Sequence, residues 1–258
     1  MKYIYEINDK QKAFKNLLLD IQSYFSNNTN TIHKARNELK IINFNHTDTI
    51  VKSFKVPNIF RRIYYTYFRD SKAKKSYNYS VKIGKFTPEP IGYIEFFEDN
   101  FLADSYFIAK KFDYDFTIRE PLLDDAFEDK ETVFKEFAKF THALHEKQIL
   151  HKDYSPGNIL IKKENGSYIF KIVDINRMEF RELSMDDRLK NFSMLWAKDR
   201  DLEIIIKEYA KIAGLHEEDA IKRALYFSQK LKDFKNMKKR LKGKPVVDWK
   251  RKRRHYRK

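Results

Sequence analysis

The chain has 258 residues, enough for one large domain or for two smaller lobes with a sizeable core. Hydrophobic residues make up 42% and aromatic residues 16% of it, which is typical of a folded protein. The lack of cysteine excludes disulfide bonds, thiolate metal sites and a cysteine nucleophile. No window approaches the roughly 20 apolar residues of a membrane span, and the first residues show no signal-peptide pattern. We therefore expect a protein that stays where it is made, dissolved or attached to a surface.

The positive charge is concentrated at the C-terminal end. Of the formal net charge of +16, residues 235–258 carry +12, from thirteen Lys and Arg and one acid, which leaves +4 for the rest. A basic tail suits an anionic surface, either lipid or nucleic acid. The alternative is a solvated helix end without a partner.

The first 110 residues or so are predicted to form a small antiparallel sheet with one main helix inserted. Apolar residues at helical spacing predict a helix over 10–25. Residues 58–83 are also compatible with a helix. The strand-like runs form two pairs, each joined by a polar turn: 38–44 with 48–54, and 91–98 with 105–112.

The remainder is predicted to be mostly helical. Residues 129–148 have one apolar stripe, which indicates an amphipathic helix. A hairpin of residues 159–163 and 168–175 follows, with Asn165-Gly166 as a type I′ turn signal. Further helices are predicted over 185–197, 200–213 and 217–241, and Ser184 is a suitable start for the first of these.

The stretch HKDYSPGNILI contains the chain's most informative spacing. His151-x-Asp153 followed by Asn158 is the H-x-D-x-x-x-x-N pattern of a kinase catalytic loop, and Asp174 lies sixteen residues further on. Asp153 would orient an attacking hydroxyl and accept its proton. Asn158 and Asp174 would bind Mg²⁺ through hard oxygen atoms, and His151 would brace the loop. An ordinary polar loop is the alternative, but the order of helix, loop, hairpin and aspartate favours the kinase interpretation.

A cation is also needed to bind the phosphates of ATP. Lys52 follows Thr49-Ile50-Val51 in a strand, a setting similar to that of the nucleotide-binding lysine of kinases. Lys55 is a rival, but side chains alternate along a strand, so the two lysines point to opposite faces. We choose Lys52.

Three differences from protein kinases limit the class of acceptor that the chain could phosphorylate. The first glycine of the chain is Gly84, so no glycine-rich loop can cover the phosphates. No proline lies between Pro156 and Pro245, which excludes the usual end of a long activation segment. Ser184 lies only ten positions after Asp174. A short segment suits a small or lipid-linked hydroxyl acceptor.

Several strings together resemble the bacterial lipopolysaccharide kinases of the Kdo/heptose kinase family, within the protein-kinase-like superfamily. The resemblance covers about residues 32–235 and is carried by ARNELKIINF, TIVKSFKVPN, SKAKKSY, TPEPIGYIE, TIREPL, LHKDYSPGNIL and KIVDINRMEF. It implies an α+β, protein-kinase-like bilobal fold with a short activation segment. The expected divisions are an N-terminal helical extension (1–28), a small antiparallel-sheet N-lobe (29–110), a mostly helical C-lobe (111–235) and a basic tail (236–258).

The resemblance also implies an activity. The chain would be a phosphotransferase that uses ATP and Mg²⁺ to phosphorylate a sugar hydroxyl, of Kdo or heptose, in the lipid A–core glycolipid. It would be cytoplasmic and peripheral on the inner face of the inner membrane, with the basic tail on the anionic lipid surface. No nucleic acid partner is expected. Neither the sugar nor the hydroxyl follows from the sequence.

One position departs from the family pattern. Asn78 stands where the resemblance leads us to expect the glutamate that pairs with the strand lysine. This leaves open a slow enzyme, another partner for Lys52, or a kinase-like binding module without catalysis. A RIO-like protein Ser/Thr kinase and an aminoglycoside or choline kinase are further alternatives. Outside the motif, His142 and His145 are interpreted as packing or surface residues, and Arg177 as a salt-bridge partner or a substrate contact.

Overall fold

The computed structural model describes residues 2–34, 37–55, 65 and 69–246, and of His33, Lys34 and Lys55 only the backbone. These residues fold into two compact units. The first contains the described residues up to 113 together with 174–176, and the second contains 114–173 and 177–246. Most of the predicted helix start at 58–71 and the end of the basic tail, 247–258, lie outside the described residues.

The first unit is built on a six-stranded antiparallel sheet. The strands are β1 (Lys2–Ile7), β2 (Thr31–Lys34), β3 (Asn37–Phe44), β4 (Thr47–Lys55), β5 (Pro90–Glu98) and β6 (Phe101–Lys110), in the order β1-β5-β6-β4-β3-β2. Two-residue turns join β3 to β4 and β5 to β6. Each turn has two residues at positive φ, Asn45-His46 and Asp99-Asn100, which matches the twist of the hairpins.

Helical segments cover both faces of this sheet. A 3-10 helix (Asp9–Phe14), α1 (Lys15–Leu19) and α2 (Ile21–Asn27) bury the five apolar residues of the predicted N-terminal stripe against one face; these are Phe14, Leu17, Leu18, Ile21 and Phe25. The predicted continuous helix is interrupted because Gln11 and Asp20 have non-helical backbone angles. On the other face, α3 (Lys72–Ile83) packs Ala73 and Tyr77 against Phe54 and Tyr93.

The second unit is mostly helical. Its helices are α4 (Arg119–Leu123), α5 (Lys130–Glu146), α6 (Met185–Asn191), α7 (Asp199–Ala213) and α8 (Glu217–Arg240), with 3-10 turns at Pro156–Asn158 and Phe192–Leu195. One small sheet has the order β10-β9-β7, from β7 (Phe116–Thr117), β9 (Ile159–Glu164) and β10 (Ser167–Ile172). The other pairs β8 (Ile149–His151) with β11 (Met178–Phe180). Helix α5 packs on α7, and α7 packs on α8.

Local signals set the ends of these elements. Asn165 and Gly166 both have positive φ between β9 and β10, as the predicted type I′ turn requires. Ser184 begins α6 with a capping box, in which its hydroxyl accepts from the Asp187 N–H and the Asp187 carboxylate accepts from the Ser184 N–H. None of the helices in the described residues has both the length and the hydropathy that a membrane crossing requires.

The observed division differs from the predicted one at two places. Residues 1–28 were expected to form a separate helical extension, but β1 pairs with β5 and the following helical segments cover the sheet core. They are therefore part of the first unit. The predicted boundary at 235/236 falls inside α8, which continues to Arg240. The strand predicted over 105–112 begins earlier, at Phe101, because the turn contains only two residues.

Candidate active site

The HKDYSPGN loop lies in the second unit between two strands. It leaves β8 at His151, and β8 is held by antiparallel pairing with β11. Pro156 opens the 3-10 turn that ends the loop at Asn158, and its fixed φ suits this position. The chain then enters β9. Both ends of the loop are therefore anchored by strands.

His151 is almost completely buried and makes hydrogen bonds with both ring nitrogens. Its Nε2–H donates to the carbonyl oxygen of Val173 at 3.0 Å, and its Nδ1 accepts from the backbone N–H of Asp153, also at 3.0 Å. One imidazole therefore joins the residue before Asp174 to the predicted catalytic aspartate. The bracing role of His151 stays a prediction, and these two hydrogen bonds are the contacts through which it would act.

A buried hydrogen-bond network connects His151 to three helices of the second unit. The side-chain amide of Asn191, on α6, donates to the carbonyl oxygen of His151 at 3.0 Å, and its oxygen lies 3.3 Å from Nε2 of His145. His145 Nδ1 lies 2.9 Å from the Tyr209 hydroxyl. Burial lowers the pKa of His145 to about 4, so it is neutral near pH 7. This network joins α5, α6 and α7 to the loop.

The side chains of Asp153 and Tyr154 differ in burial. The Asp153 side chain is partly exposed, and its Oδ2 lies 3.4 Å from Nη1 of Arg177. Tyr154 is fully buried, stacks on Phe137 and shares a 2.9 Å hydrogen bond between its hydroxyl and that of Thr141. The tyrosine anchors the loop, and the neighbouring carboxylate of Asp153 stays partly exposed.

Asn158 is oriented by the same loop. Its side-chain nitrogen donates to the carbonyl oxygen of Asp153 at 2.9 Å. The amide oxygen is then the atom available to a cation, and such an oxygen is a suitable ligand for Mg²⁺. Its backbone carbonyl accepts from the Val173 N–H at 2.9 Å, which ties the loop to the strand that leads to Asp174.

In the first unit, Lys52 pairs with Asp174. The Lys52 Nζ lies 2.5 Å from Oδ1 of Asp174, although the residues are 122 positions apart. Asn176 donates to the same oxygen at 2.7 Å. Asp174 has φ 57, a left-handed conformation that costs energy for a residue with a side chain and that often occurs at functional sites. A carboxylate held in this way has the donor chemistry that Mg²⁺ prefers.

Helix α3 cannot provide the usual glutamate partner of the lysine, because KAKKSYNYSVKI contains no acidic residue. Asn78 is half-buried in this helix. A buried acid of the same unit, Glu95 on β5, is hydrogen-bonded to Ser71, the N-cap of α3. Burial raises the pKa of Glu95. The sequence left the partner of Lys52 open. In the structure this partner is the carboxylate of Asp174.

Two residues at the loop were not identified from the sequence. The guanidinium of Arg119, on α4, lies against Gly157, so close that a Cβ built on Gly157 would be 2.4 Å from Nη2. Asn191 is the second. No local motif marks either residue, because each reaches the loop from another helix. A glycine two positions after Ser155 was the one available signal that a side chain approaches the loop backbone.

The segment between Asp174 and Ser184 is short and well anchored. Strand β11 pairs with β8, and Arg181 makes two hydrogen bonds to the Asp187 carboxylate, at 2.8 and 2.9 Å. Lys152 pairs with Glu179 at 2.6 Å and lowers the pKa of that carboxyl. No long peptide-docking loop is present in this part of the described chain.

Comparisons with known proteins show the fold. No family model and no curated protein matches the chain. A solved structure of WaaP in complex with acyl carrier protein matches with a TM-score of 0.58 and 11% identity, over 89% of this chain and 98% of that one. The Rio2 kinase–ADP/Mg²⁺-phosphoaspartate complex from Chaetomium thermophilum matches with a TM-score of 0.44 and 17% identity, over 82% and 66%.

The fold follows from the likeness to the WaaP structure. The chain has a protein-kinase-like fold, which confirms the fold class predicted from the sequence. Its two units correspond to a lobe with an antiparallel sheet and a mostly helical lobe.

Proposed function

We propose that the protein is a kinase that transfers the γ-phosphoryl group of ATP to a sugar hydroxyl, of Kdo or heptose, in the lipid A–core glycolipid. The observation that carries the proposal is the construction of the H-x-D-x-x-x-x-N loop. His151 braces it, Tyr154 anchors it, and Asp153 is left with a partly exposed carboxylate.

The chain's own residues have distinct roles in this proposal. Asp153 accepts a hydrogen bond from the acceptor hydroxyl and takes its proton as the bond to phosphorus forms. Lys52 binds the phosphates of the nucleotide. Before the nucleotide binds, the contact with Asp174 orients the Lys52 side chain. Asn158 and Asp174 provide oxygen ligands for Mg²⁺, which, when bound, neutralises the charge that develops on the phosphates.

The acceptor class rests on the surroundings of Asp153. The segment from Arg177 to Ser184 is held by β11 and by the Arg181–Asp187 contacts, so it leaves little room for an extended peptide. Arg177 places a positive charge 3.4 Å from the Asp153 carboxylate. A sugar with a carboxylate or phosphate substituent would find a counter-charge there. The basic tail, residues 236–258, would attach the protein to the anionic inner face of the membrane.

The acid-free helix α3 favours a second candidate, a kinase-like binding module without catalysis. An experiment with three acceptors separates the two. Phosphate transfer from labelled ATP is measured to Kdo-lipid A, to heptosylated lipid A and to a generic protein acceptor. The proposal expects transfer to a glycolipid, with the modified sugar located by mass spectrometry. Transfer to protein alone would contradict the acceptor class, and absence of Mg-ATP binding would support the binding module.

A further inference from the structure

Helix α8 and Leu241, the residue at its C-terminal cap, have four large apolar side chains on one outward face. Tyr226, Phe234, Met237 and Leu241 are 50, 44, 49 and 80% exposed. Their spacings of eight, three and four residues place them on one side of a helix. The opposite side is buried and consists of Ala220, Ala224, Ser228 and Lys232. The outward stripe is therefore additional to the face that packs on the second unit.

Lysine side chains border this stripe. The Lys238 Nζ lies 4.3 Å from the ring centre of Phe234, and the Lys230 Nζ lies 5.6 Å from that of Tyr226. Such lysines cover an aromatic ring with their alkyl chain and can extend the charged end beyond it. Residues 220–246 contain ten Lys and Arg and a single acid, Asp233. The stripe is thus an apolar line on a strongly cationic surface.

The combination favours a lipid surface over nucleic acid. The phosphates of a nucleic acid would bind the cationic side chains, but a nucleic acid has no apolar phase in which exposed methionine and leucine side chains could be buried. A helix that lies in a membrane interface uses both features, because its apolar side chains enter the acyl boundary and its lysines contact anionic headgroups.

We propose that the outward face of α8 is a membrane-docking surface for an anionic bilayer, formed by the four apolar side chains with Lys230 and Lys238. This inference goes beyond the proposed kinase reaction and shares with it only the expectation of an anionic membrane. It assigns docking to helix α8 of the second unit, whereas the basic residues that follow Leu241 would add electrostatic attraction.

The absence of cysteine allows a site-specific test on the full chain. Met237→Cys is labelled with a polarity-sensitive fluorophore and mixed with phosphatidylcholine vesicles that contain about 30% phosphatidylglycerol. We expect a blue shift of the emission with these vesicles and a weak or absent shift with phosphatidylcholine alone. The matched control is Val81→Cys, which is 52% exposed on α3 and should show no shift.

A second measurement separates the apolar stripe from the positive charge of the basic residues around and after it. Flotation with the same vesicles is compared for the wild type and for the triple variant Phe234→Gln, Met237→Gln, Leu241→Gln, which keeps every charge. We expect the variant to bind at least about tenfold more weakly, with the difference largest at high salt, where the attraction of the tail is screened. Val81→Gln, Leu123→Gln, Ile212→Gln removes three other exposed apolar residues and should bind like the wild type.

Three results would overturn the proposal. These are equal binding of the wild type and the stripe variant, no shift of the label at position 237 on vesicles, and a shift produced by RNA but not by lipid. Both measurements omit ATP and acceptor. A failed kinase assay would therefore contradict the proposed function without affecting the docking surface. A failed vesicle assay would contradict the docking surface without affecting the proposed function.

Discussion

Protonation of His145 should destabilise the second unit as the pH falls. The side chain is 1% exposed and hydrogen-bonded to Tyr209 and Asn191. Burial is the main cause of its pKa of about 4; Arg188 and His142 lower the pKa further, whereas the Asn191 hydrogen bond and Glu146 raise it. In the unfolded chain the same imidazole has a pKa of about 6.5.

The sign and size of the effect follow from these two pKa values. Because the folded pKa is depressed, the unfolded state takes up the proton first as the pH falls below about 6.5. The contribution of the neutral histidine is fully present above that pH and is lost on the way to pH 4. The free energy of unfolding should fall by about 1.4 kcal/mol per pH unit within this window, which amounts to about 2 kcal/mol by pH 5.

The assay is urea unfolding of the wild type and His145→Gln between about pH 4.5 and 7.5. Carboxylates titrate in both proteins, so the difference between the two pH profiles isolates His145. We expect the wild type to lose about 2 kcal/mol more than the variant between pH 7.5 and 5. His216→Gln makes the same substitution at an exposed histidine and is the matched control. Parallel profiles for the wild type and His145→Gln would refute the reasoning.

Three further predictions concern the loop and the lysine. Asn191→Ala removes the hydrogen bonds of Asn191 to His151 and His145 in a buried site and should cost about 2–4 kcal/mol in urea unfolding, so a cost below about 1 kcal/mol would show that the network is dispensable. Gly157→Ala should displace Arg119 with little loss of stability, because the end of a flexible side chain can move; its activity should match that of Arg119→Ala, and the double variant should be no worse. Lys52→Met should abolish Mg-ATP binding while changing the free energy of unfolding by about 1 kcal/mol or less, since Asp174 is partly exposed; unchanged ATP binding would assign the phosphates to another cation.

Local patterns in the sequence predicted much of the fold. The two hairpins of the sheet, the Asn165-Gly166 turn, the stripe of α5 and the capped start of α6 depend on residues a few positions apart. The motif spacing also singled out Lys52 and Asp174, which the structure brings together across 122 positions. The contact itself was not predicted, because the sequence assigned Lys52 to the ATP phosphates and Asp174 to Mg²⁺, and no local periodicity could indicate it.

The parts that could not be predicted depend on distant partners. Strand β1 is recognisable only by its pairing with β5, about 90 residues later. Strands β8 and β11 have three residues each, too few for a periodic pattern, and exist because they pair with each other. Asn191 reaches His151 across 40 positions. In the site, the sequence indicated which residues have the right chemistry, whereas their supporting contacts required the fold.

The most direct measurement is the rate of phosphate transfer from labelled ATP to Kdo-lipid A for the wild type, Asp153→Asn and Asp219→Asn. The two variants make the same chemical change, at the loop and at an exposed helix position. Loss of a general base predicts a decrease of about a hundredfold or more for Asp153→Asn, with Mg-ATP binding retained, and no change for Asp219→Asn. Transfer by Asp153→Asn at the wild-type rate would contradict the assignment of Asp153 and, with it, the proposed mechanism.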